Sequence, residues 1–291
     1  MRFVLNGLPK GGSTWLQRLL DGHPRIRCLK EHKLAHLAKR IQHAITDYAS
    51  ERHSYLEMMG QSDEDETLAS DLHLDLAVAV AHQMLDEAAT QSVEAVGFKD
   101  NLINPLFLLD RTDLKLLLMV RDPRDVVVST WRWSIGNSDY LVDKFGTIEA
   151  FSEHYSGYWT TRMRERLKAI EVAPDRCRMI SYEALQQDTA AEMTGICEFL
   201  AVAVDAGEIE TAVQTASFKA VTGAAPGEED ISRHARKGVV GDWRNHLSGE
   251  AAEALRVQCT ADSRFEPFFH DAADGAIGAS LSRDNIVTSY D

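Results

Sequence analysis

The sequence predicts an α/β fold in which a central parallel sheet is flanked by helices on both faces. Four short apolar runs, at residues 3–5, 93–98, 114–120 and 177–181, have the character of strands, and stretches with helical spacing separate them. The run at 114–120 is apolar almost throughout, which is typical of a central strand that is covered on both faces. Such sheets bind ligands beyond the carboxyl ends of their strands, so the polar residues after each run are the first candidates for a site.

Helices are predicted wherever apolar residues recur every three or four positions. These stretches are 13–20, 34–59, 72–85, 126–133, 148–170, 185–200, 208–216 and 249–258. Residues 26–31 form a short extended segment, and no shift in composition marks a second domain. We therefore expect a single domain over residues 1–270 and a loosely ordered tail over residues 271–291.

Composition and charge limit the classes of function. Hydrophobic residues make up 44% of the 291 residues, which is ample for a globular core, and the formal net charge is −14. This charge argues against binding to nucleic acids or anionic membranes, so an anionic ligand must be held by a local group of Lys and Arg. The four cysteines are scattered along the sequence without a CxxC pair, and we therefore expect reduced thiols. No signal peptide or transmembrane run is predicted, and the cytoplasm is the expected compartment.

Residues 3–20 predict an anion site at the start of the chain. An apolar strand leads into a loop with three glycines and one lysine, residues 6–12, and then into a helix that begins near Ser13. Glycines let backbone N–H groups approach an anion closely, and a helix N-terminus adds the positive end of its dipole. Lys10 supplies a full positive charge.

This loop departs from the common nucleoside-triphosphatase pattern G-x-x-x-x-G-K-[ST]. Gly7 and Gly12 have the spacing of that pattern, yet Ser13 stands where its lysine belongs, and the lysine of this loop is Lys10. For this stretch alone, an ordinary glycine-rich turn between a strand and a helix is the alternative interpretation.

Further cationic and polar residues follow the other predicted strands. Lys99, Arg121 and Tyr182 each come directly after a strand, so a parallel sheet would bring them to the same edge as Lys10. Asp122, next to Arg121, has the position of a helix N-cap. Three cations at one edge of a sheet predict a site for an extended polyanion.

Three motifs resemble those of the sulfotransferase family that uses 3′-phosphoadenylyl sulfate (PAPS). Residues 8–15, LPKGGSTW, resemble the family's 5′-phosphosulfate loop P-K-S-G-T-T-W, with Gly11 in place of the usual serine. Residues 121–129, RDPRDVVVS, resemble its 3′-phosphate motif R-[DN]-P-x-D-x-x-x-S, and residues 236–243, RKGVVGDW, resemble its late signature R-K-G-x-x-G-D-W. Two weaker elements also match, at residues 182–183 and 217–219.

The resemblance implies a fold, a donor and a role for each matching residue. The fold is the P-loop-containing nucleotide-hydrolase-like sulfotransferase fold, and the donor is PAPS, which is released as adenosine 3′,5′-bisphosphate (PAP) without a metal ion. Lys10 would stabilise the departing phosphate, and Lys99 would contact the sulfuryl group. The implied donor-binding residues are Gly11, Gly12, Ser13, Thr14 and Trp15 at the 5′-phosphosulfate, Arg121 and Ser129 at the 3′-phosphate, Tyr182 and Phe218 at the adenosine, and Arg236, Lys237 and Gly238 over the 3′-phosphate. Plain core packing is the alternative for Trp15 and Phe218.

The general base stays open at this point. Many members of the family carry K-T-H after the second strand, whereas residues 99–101 read KDN, and the asparagine cannot act as a base. Other branches place a glutamate in the pattern H-P-x-[IV] … K-E, which residues 23–32, HPRIRCLKEH, resemble. Glu31 is therefore the first choice, His32 the second and Asp100 the third. An ordinary surface or paired charge is the alternative for Glu31.

The implied activity is transfer of a sulfuryl group from PAPS to an acceptor hydroxyl, with an amine as the second acceptor class. Two alternatives stay open: an ATP-dependent P-loop kinase-like phosphotransferase, and a catalytically silent nucleotide-binding or interaction protein. The acceptor, a small molecule or a carbohydrate, and the oligomeric state cannot be identified from the sequence. Aromatic residues in the regions expected to form an acceptor pocket are Tyr48, Tyr55, Trp133, Tyr140 and Phe145.

Overall fold

The computed structural model describes residues 1–30, 34–59, 72–217, 219–220, 223, 227 and 237–270. The predicted tail at 271–291 lies outside these ranges.

One parallel sheet of five strands forms the centre of the molecule, in the order β2-β3-β1-β4-β5. The strands are β1 Arg2–Asn6, β2 Ile26–Leu29, β3 Ala95–Lys99, β4 Lys115–Val120 and β5 Cys177–Ser181. The predicted parallel sheet is confirmed, but the count of four strands was wrong. The extended segment after α1 joins the sheet as its edge strand, because β2 pairs in parallel with β3 from Ile26 opposite Ala95 to Leu29 opposite Phe98.

Helices fill the intervals between the strands. The α-helices in the described ranges are α1 Ser13–Gly22, α2 Leu34–Met58, α3 Leu72–Ala88, α4 Pro105–Arg111, α5 Pro123–Asn137, α6 Tyr140–Phe145, α7 Ile148–Val172, α8 Tyr182–Gln187, α9 Thr189–Phe199, α10 Ala206–Thr215 and α11 Gly249–Cys259, with 3-10 helices at Asp242–Asn245 and Ser263–Phe268. The stretch predicted as one helix over 185–200 is two helices. Asp188 ends α8 and caps α9, since its side chain accepts the Ala191 N–H at 2.9 Å.

Helices cover both faces of the sheet, as the apolar run of β4 predicts. Leu117 and Met119 belong to a core shared with α1, α9 and α10, whereas Leu116 and Leu118 belong to a core shared with α2, α3 and α4. A third apolar cluster joins α5, α7 and α11 to the end of β4. Burial on both faces fixes the strands, and with them the loops at their carboxyl ends.

The carboxyl ends of the strands meet at one edge of the sheet. Leu5 pairs with both Lys99 and Leu117, and Val120 pairs with Ser181. The loop after β1 and the first residues after β3, β4 and β5 are therefore neighbours, in agreement with the sequence prediction.

The four cysteines, Cys28, Cys177, Cys197 and Cys259, are all buried and free, which agrees with the predicted reduced thiols. Among the described helices, none is both long and apolar enough to cross a membrane.

Candidate functional site

The loop between β1 and α1 has the backbone of an anion cradle. Lys10 and Gly12 both have positive φ angles, +64° and +95°, so the chain turns sharply there. Helix α1 begins directly after Gly12, whose carbonyl accepts the Trp15 N–H at 2.9 Å. Within the described residues, no side-chain hydrogen bond caps this helix N-terminus, in contrast to α4, which Asn104 caps. The first N–H groups of a helix have no intrahelical acceptor, so this terminus is suited to an anion.

Gly12 also permits a very close approach of the loop to its neighbours. A Cβ atom at this position would lie 2.4 Å from a ring carbon of Tyr182 and 2.8 Å from the terminal methyl of Met119. Such distances exclude any larger side chain without movement of the loop or the ring. The glycine is thus required both by its backbone angle and by the packing of the loop against Tyr182.

Two lysines lie at this loop. Lys99, which is buried, donates from Nζ to Thr14 Oγ1 at 3.0 Å and so links the end of β3 to the first turn of α1. The Lys10 Nζ lies 5.3 Å from the centre of the Trp133 ring on α5. The structure therefore brings the two lysines that the sequence singled out to the same loop.

Arg121 provides a second cationic group at this edge of the sheet. Its guanidinium lies 4.2 Å from the centre of the Tyr182 ring and donates to the Val239 carbonyl at 2.9 Å and the Lys10 carbonyl at 3.4 Å. Burial disfavours its charge, but the Asp125 carboxylate, 3.4 Å away, together with Tyr182 and Glu183 outweighs this effect, so the pKa of Arg121 is raised. The buried Nε of Arg121 has no hydrogen-bond partner among the described residues, which leaves one donor available to a ligand.

The second and third sequence motifs are joined through Asp125. Its two carboxylate oxygens accept the backbone N–H groups of Gly241 at 2.8 Å and Trp243 at 3.0 Å. Lys237 donates to Asp242 at 2.6 Å, so this lysine is paired within its own segment. The late motif is thereby fastened beside Arg121, more than one hundred residues away in sequence. In the sequence Asp125 appeared only as a member of the motif at residues 121–129, and this role was missed.

A buried ionic network supports the turn after β4. Arg124 is not a candidate for binding an anionic ligand, because its side chain is buried (2% exposed) and forms a bidentate pair with Asp122, with contacts of 3.0 and 2.7 Å. Glu183 accepts the Asp122 N–H at 2.9 Å, and His270 lies 3.6 Å from the same carboxylate. Burial raises the pKa of both Asp122 and Glu183. This network connects the turns after β4 and β5 and holds Arg121 in place.

The remaining predicted donor residues occupy the same region. The Trp15 ring meets Tyr182 edge-to-face with 5.7 Å between ring centres, and its indole N–H donates to the Ala216 carbonyl at 3.1 Å. Ser129 is buried in the second turn of α5, and the Gly238 carbonyl lies 3.4 Å from the Gln186 amide nitrogen. Glu31, His32, Phe218 and Arg236 lie outside the described residues.

The residues after Lys99 occupy the position of the family's histidine. Asn101 is 6% exposed, and its Oδ1 has no hydrogen-bond partner among the described residues. This oxygen would lie 3.2 Å from a Cβ atom placed on Gly7, so Asn101 is adjacent to the β1–α1 loop. Asp100 is fully buried, and both of its carboxylate oxygens accept backbone N–H groups.

The structure separates the aromatic residues that were considered for an acceptor pocket. Trp133 lies beside Lys10, at the β1–α1 loop. Phe145 packs instead against Phe151, at 5.5 Å between ring centres. The other three are more than half exposed: Tyr48, Tyr55 and Tyr140.

Fold and geometry together define an α/β protein with a parallel sheet that has cationic side chains at two places along its carboxyl edge, one at the β1–α1 loop and one at Arg121. The family comparison is more specific. The sulfotransferase domain profile matches residues 1–264, so this chain belongs to the sulfotransferase domain family. The predicted family resemblance is thereby confirmed.

Individual relatives agree with this assignment. Sulfotransferase 2A1 of Rattus norvegicus is 30% identical over 159 residues, which are 48% of this chain and 54% of that protein. Cytosolic sulfotransferase 12 of Arabidopsis thaliana is 28% identical over 167 residues, 52% of this chain and 50% of that protein. The matches thus span about half the length of these curated relatives.

Solved structures confirm the fold. Mouse sulfotransferase SULT7A1 complexed with PAP superposes with a TM-score of 0.60 at 18% identity, over 91% of this chain and 84% of that chain. Retinol dehydratase in complex with androsterone and PAP gives a TM-score of 0.54 at 18% identity, over 90% of this chain and 81% of that chain. The central parallel sheet with flanking helices is therefore that of the sulfotransferase fold.

Proposed function

We propose that this protein is a PAPS-dependent sulfotransferase that transfers a sulfuryl group to an acceptor hydroxyl. Membership of the sulfotransferase family supports sulfuryl transfer in general. The choice of PAPS as donor is supported by the two separate anion subsites, because PAPS carries an anionic phosphosulfate at one end and a 3′-phosphate at the other.

The observation that carries the donor assignment is the environment of Arg121. Its buried guanidinium lies 4.2 Å from the Tyr182 ring centre, donates to the Val239 carbonyl of the late motif, and has no partner for Nε in the part of the chain that the structure describes, which suits it to bind a phosphate. An enzyme that used ATP would have no need of a second anion site beside the nucleoside.

The residues of the loop fit the other end of the same donor. No side chain of the described residues caps the N-terminus of α1, and the positive φ of Gly12 shapes a cradle that a Cβ atom would fill. Bound there, PAPS would supply the sulfuryl group and leave as PAP. Lys10 would stabilise the negative charge that develops on the departing phosphate, and Lys99 and Thr14 would hold the loop at the transfer position.

Glu31 is the proposed general base, and it would accept the proton of the acceptor hydroxyl. Asn101 stands at the position where many members of the family carry histidine, so the proton acceptor would be a different residue. Trp133, beside Lys10, is placed to contact an acceptor, since it borders the loop on the side of α5. Retinol dehydratase, one of the structural neighbours, has been crystallised with androsterone. We propose an alcohol or phenol of comparable small size as the acceptor class.

Ligand-dependent melting tests the donor assignment. PAP should raise the melting temperature, and a ligand at one hundred times its Kd should stabilise the fold by about 2.7 kcal/mol. The nucleotide 5′-AMP is the matched control, because it lacks only the 3′-phosphate. Stabilisation by ATP with Mg²⁺ but not by PAP would contradict the proposal and favour a phosphotransferase.

A further inference from the structure

Arg121 makes a direct contact with the β1–α1 loop. Its Nη1 donates to the backbone carbonyl of Lys10 at 3.4 Å, while its Nη2 donates to the Val239 carbonyl at 2.9 Å and lies 3.4 Å from the Asp125 carboxylate. The arginine is buried. The residue that is proposed to bind the 3′-phosphate therefore also holds the backbone of the lysine that is proposed to act at the other end of the donor.

The Tyr182 ring connects the same arginine to the next part of the loop. The guanidinium of Arg121 lies 4.2 Å from the centre of this ring, and a Cβ atom on Gly12 would lie 2.4 Å from one of the ring carbons. Buried groups in such close contact transmit a displacement from one to the next. Arg121, Tyr182 and the loop from Lys10 to Gly12 thus form one packed unit.

The backbone of Lys10 depends on the contacts around it. Its φ of +64° lies in the left-handed region, which residues with a Cβ atom avoid unless their surroundings hold them there. The bond from Arg121 to its carbonyl is long, since most N–H···O distances fall between about 2.7 and 3.2 Å. A small movement of the guanidinium toward the loop would therefore strengthen this bond.

We propose that the 3′-phosphate of the donor acts on Lys10 through Arg121. The Nε of Arg121 has no hydrogen-bond partner among the described residues, so a phosphate bound there would hold the planar guanidinium in place. The donor on the same plane would then hold the Lys10 carbonyl, and with it the start of the lysine side chain. Arg121 is thereby a positioning residue for Lys10 as well as a binding residue. This inference rests on the proposed function.

The coupling predicts that the 3′-phosphate raises kcat and not only affinity. Binding energy from a remote part of a substrate raises kcat when it serves to place the reacting groups. Adenosine 5′-phosphosulfate has the reacting group of PAPS but lacks the 3′-phosphate. At saturating donor and acceptor, its kcat should be about 10–100-fold lower than that of PAPS, the scale of a small misplacement of a reacting group. A 3′-phosphate that served for binding alone would change KM and leave kcat unchanged.

The variant Lys10→Met shows whether the effect passes through Lys10. If it does, PAPS and adenosine 5′-phosphosulfate should give nearly equal kcat values in this variant, whatever its absolute rate, because the group that the 3′-phosphate positions is gone. The same ratio of kcat values in Lys10→Met as in the wild type would overturn the inference, since the 3′-phosphate would then act on another group.

Amide exchange at Gly11 reports on the loop without any turnover. Its N–H directly follows the Lys10 carbonyl and is bound to the Leu8 carbonyl at 2.9 Å. Adenosine 3′-monophosphate carries the 3′-phosphate but no anion at its 5′ end, and adenosine is the matched control without either anion. At saturating ligand, the monophosphate should slow exchange at Gly11 by at least about fivefold relative to adenosine, the lower end of usual coupling between sites.

The substitution Arg121→Lys cuts the proposed link. A lysine still attracts a phosphate, but its single ammonium cannot replace the planar fork, so saturating adenosine 3′-monophosphate should no longer slow exchange at Gly11. Arg176→Lys is the matched control, because Arg176 also donates to backbone carbonyls, those of Leu109 and Leu114 at 3.3 Å each, but at the amino end of the sheet. This control should keep the wild-type effect. The comparison of ligands in the wild type keeps the inference testable if Arg121→Lys fails to fold.

Failure of the coupling and failure of the proposed function give different results. Suppose that the wild type binds PAP and transfers sulfuryl groups from PAPS. Equal kcat values for PAPS and adenosine 5′-phosphosulfate, or equal Gly11 exchange with adenosine 3′-monophosphate and adenosine, would then overturn the coupling alone. A wild type that neither binds PAP nor transfers from PAPS would overturn the proposed function and the coupling together.

Discussion

Replacement of Gly12 by alanine is the most direct perturbation of the donor cradle. The residue combines a φ of +95° with a Cβ position only 2.4 Å from the Tyr182 ring and 2.8 Å from Met119. An alanine must therefore adopt a backbone conformation that L-residues avoid and must also displace its neighbours. Tyr182 is the ring on which Arg121 stacks, so the displacement extends to the second anion subsite.

The expected size of the effect follows from these two contributions. The left-handed backbone costs about 1–2 kcal/mol for a residue with a Cβ atom. Overpacking of a closely packed site adds about 1–3 kcal/mol. Together they give about 2–5 kcal/mol, which for a domain of this size corresponds to a fall in melting temperature of about 4–10 °C at about 2 °C per kcal/mol.

Gly157→Ala provides a matched control within the same chain. Gly157 lies inside α7, and an added Cβ atom would meet no atom of the described residues within 4 Å. Alanine should stabilise the helix by up to about 1 kcal/mol, so the melting temperature should rise slightly. Melting curves with and without PAP would be compared for both variants. We expect Gly12→Ala to lose at least about tenfold in PAP affinity, equivalent to about 1.4 kcal/mol. A Gly12→Ala protein with wild-type melting temperature and PAP affinity would refute this description of the cradle.

Three further predictions concern single side chains. Lys10→Met should lower kcat about 10²–10³-fold, which is the usual effect of removing one donor that stabilises developing charge, while PAP should still bind. Unchanged turnover would exclude Lys10 from the mechanism. Arg121→Lys keeps the positive charge but loses the planar guanidinium that can donate two parallel hydrogen bonds to a phosphate. Calorimetry should show PAP binding weakened about 10–100-fold and 5′-AMP binding nearly unchanged. Equal losses for both ligands would contradict the 3′-phosphate assignment. Burial lowers the pKa of His23 despite the nearby Glu208, and His23 Nδ1 accepts the Arg25 N–H at 3.3 Å. Because the pKa is lower in the folded state, the unfolded state takes up the proton more readily. Denaturant titrations should therefore show the free energy of unfolding fall by up to about 1.4 kcal/mol per pH unit as the pH drops below 6.5. This contribution of His23 to the slope should be absent in His23→Gln.

Features that depend on neighbouring residues in the chain could be predicted from the sequence. Asp122 and Pro123 were expected to start a helix, and the Asp122 side chain does accept the Arg124 N–H at 2.9 Å. Capping involves residues only two or three positions apart, so its signal is complete within a short stretch. The nearly continuous apolar run of β4 likewise indicated its burial on both faces and an interior position in the sheet, where it lies between β1 and β5.

The edge strand β2 shows where this kind of signal becomes weak. Its four residues alternate between buried and exposed, with Ile26 and Cys28 inside and Arg27 outside. An edge strand buries fewer residues than a central one. A segment of only four residues at the edge therefore lacks the continuous apolar run that marked the other strands. The sequence therefore showed an extended segment but not its membership of the sheet.

The partners of two buried carboxylates could not be predicted from one sequence. Asp125 binds the N–H groups of a segment more than one hundred residues later, and Asp100 binds the first N–H of α2, 66 residues earlier. Backbone N–H groups are the same in every residue except proline, so the sequence contains no local sign of which one a carboxylate will meet. Such contacts are set by the packing of the sheet and its helices.

Transfer of labelled sulfur tests the central proposal most directly. The protein would be incubated with PAPS labelled in its sulfuryl group and with a panel of phenols, sterols and sugars, and the products analysed by mass spectrometry. We predict a sulfated acceptor and one equivalent of PAP for each sulfuryl group transferred, with both products lost in Lys10→Met. Transfer of phosphate from ATP with Mg²⁺ to the same acceptors, without any transfer from PAPS, would contradict the proposed function.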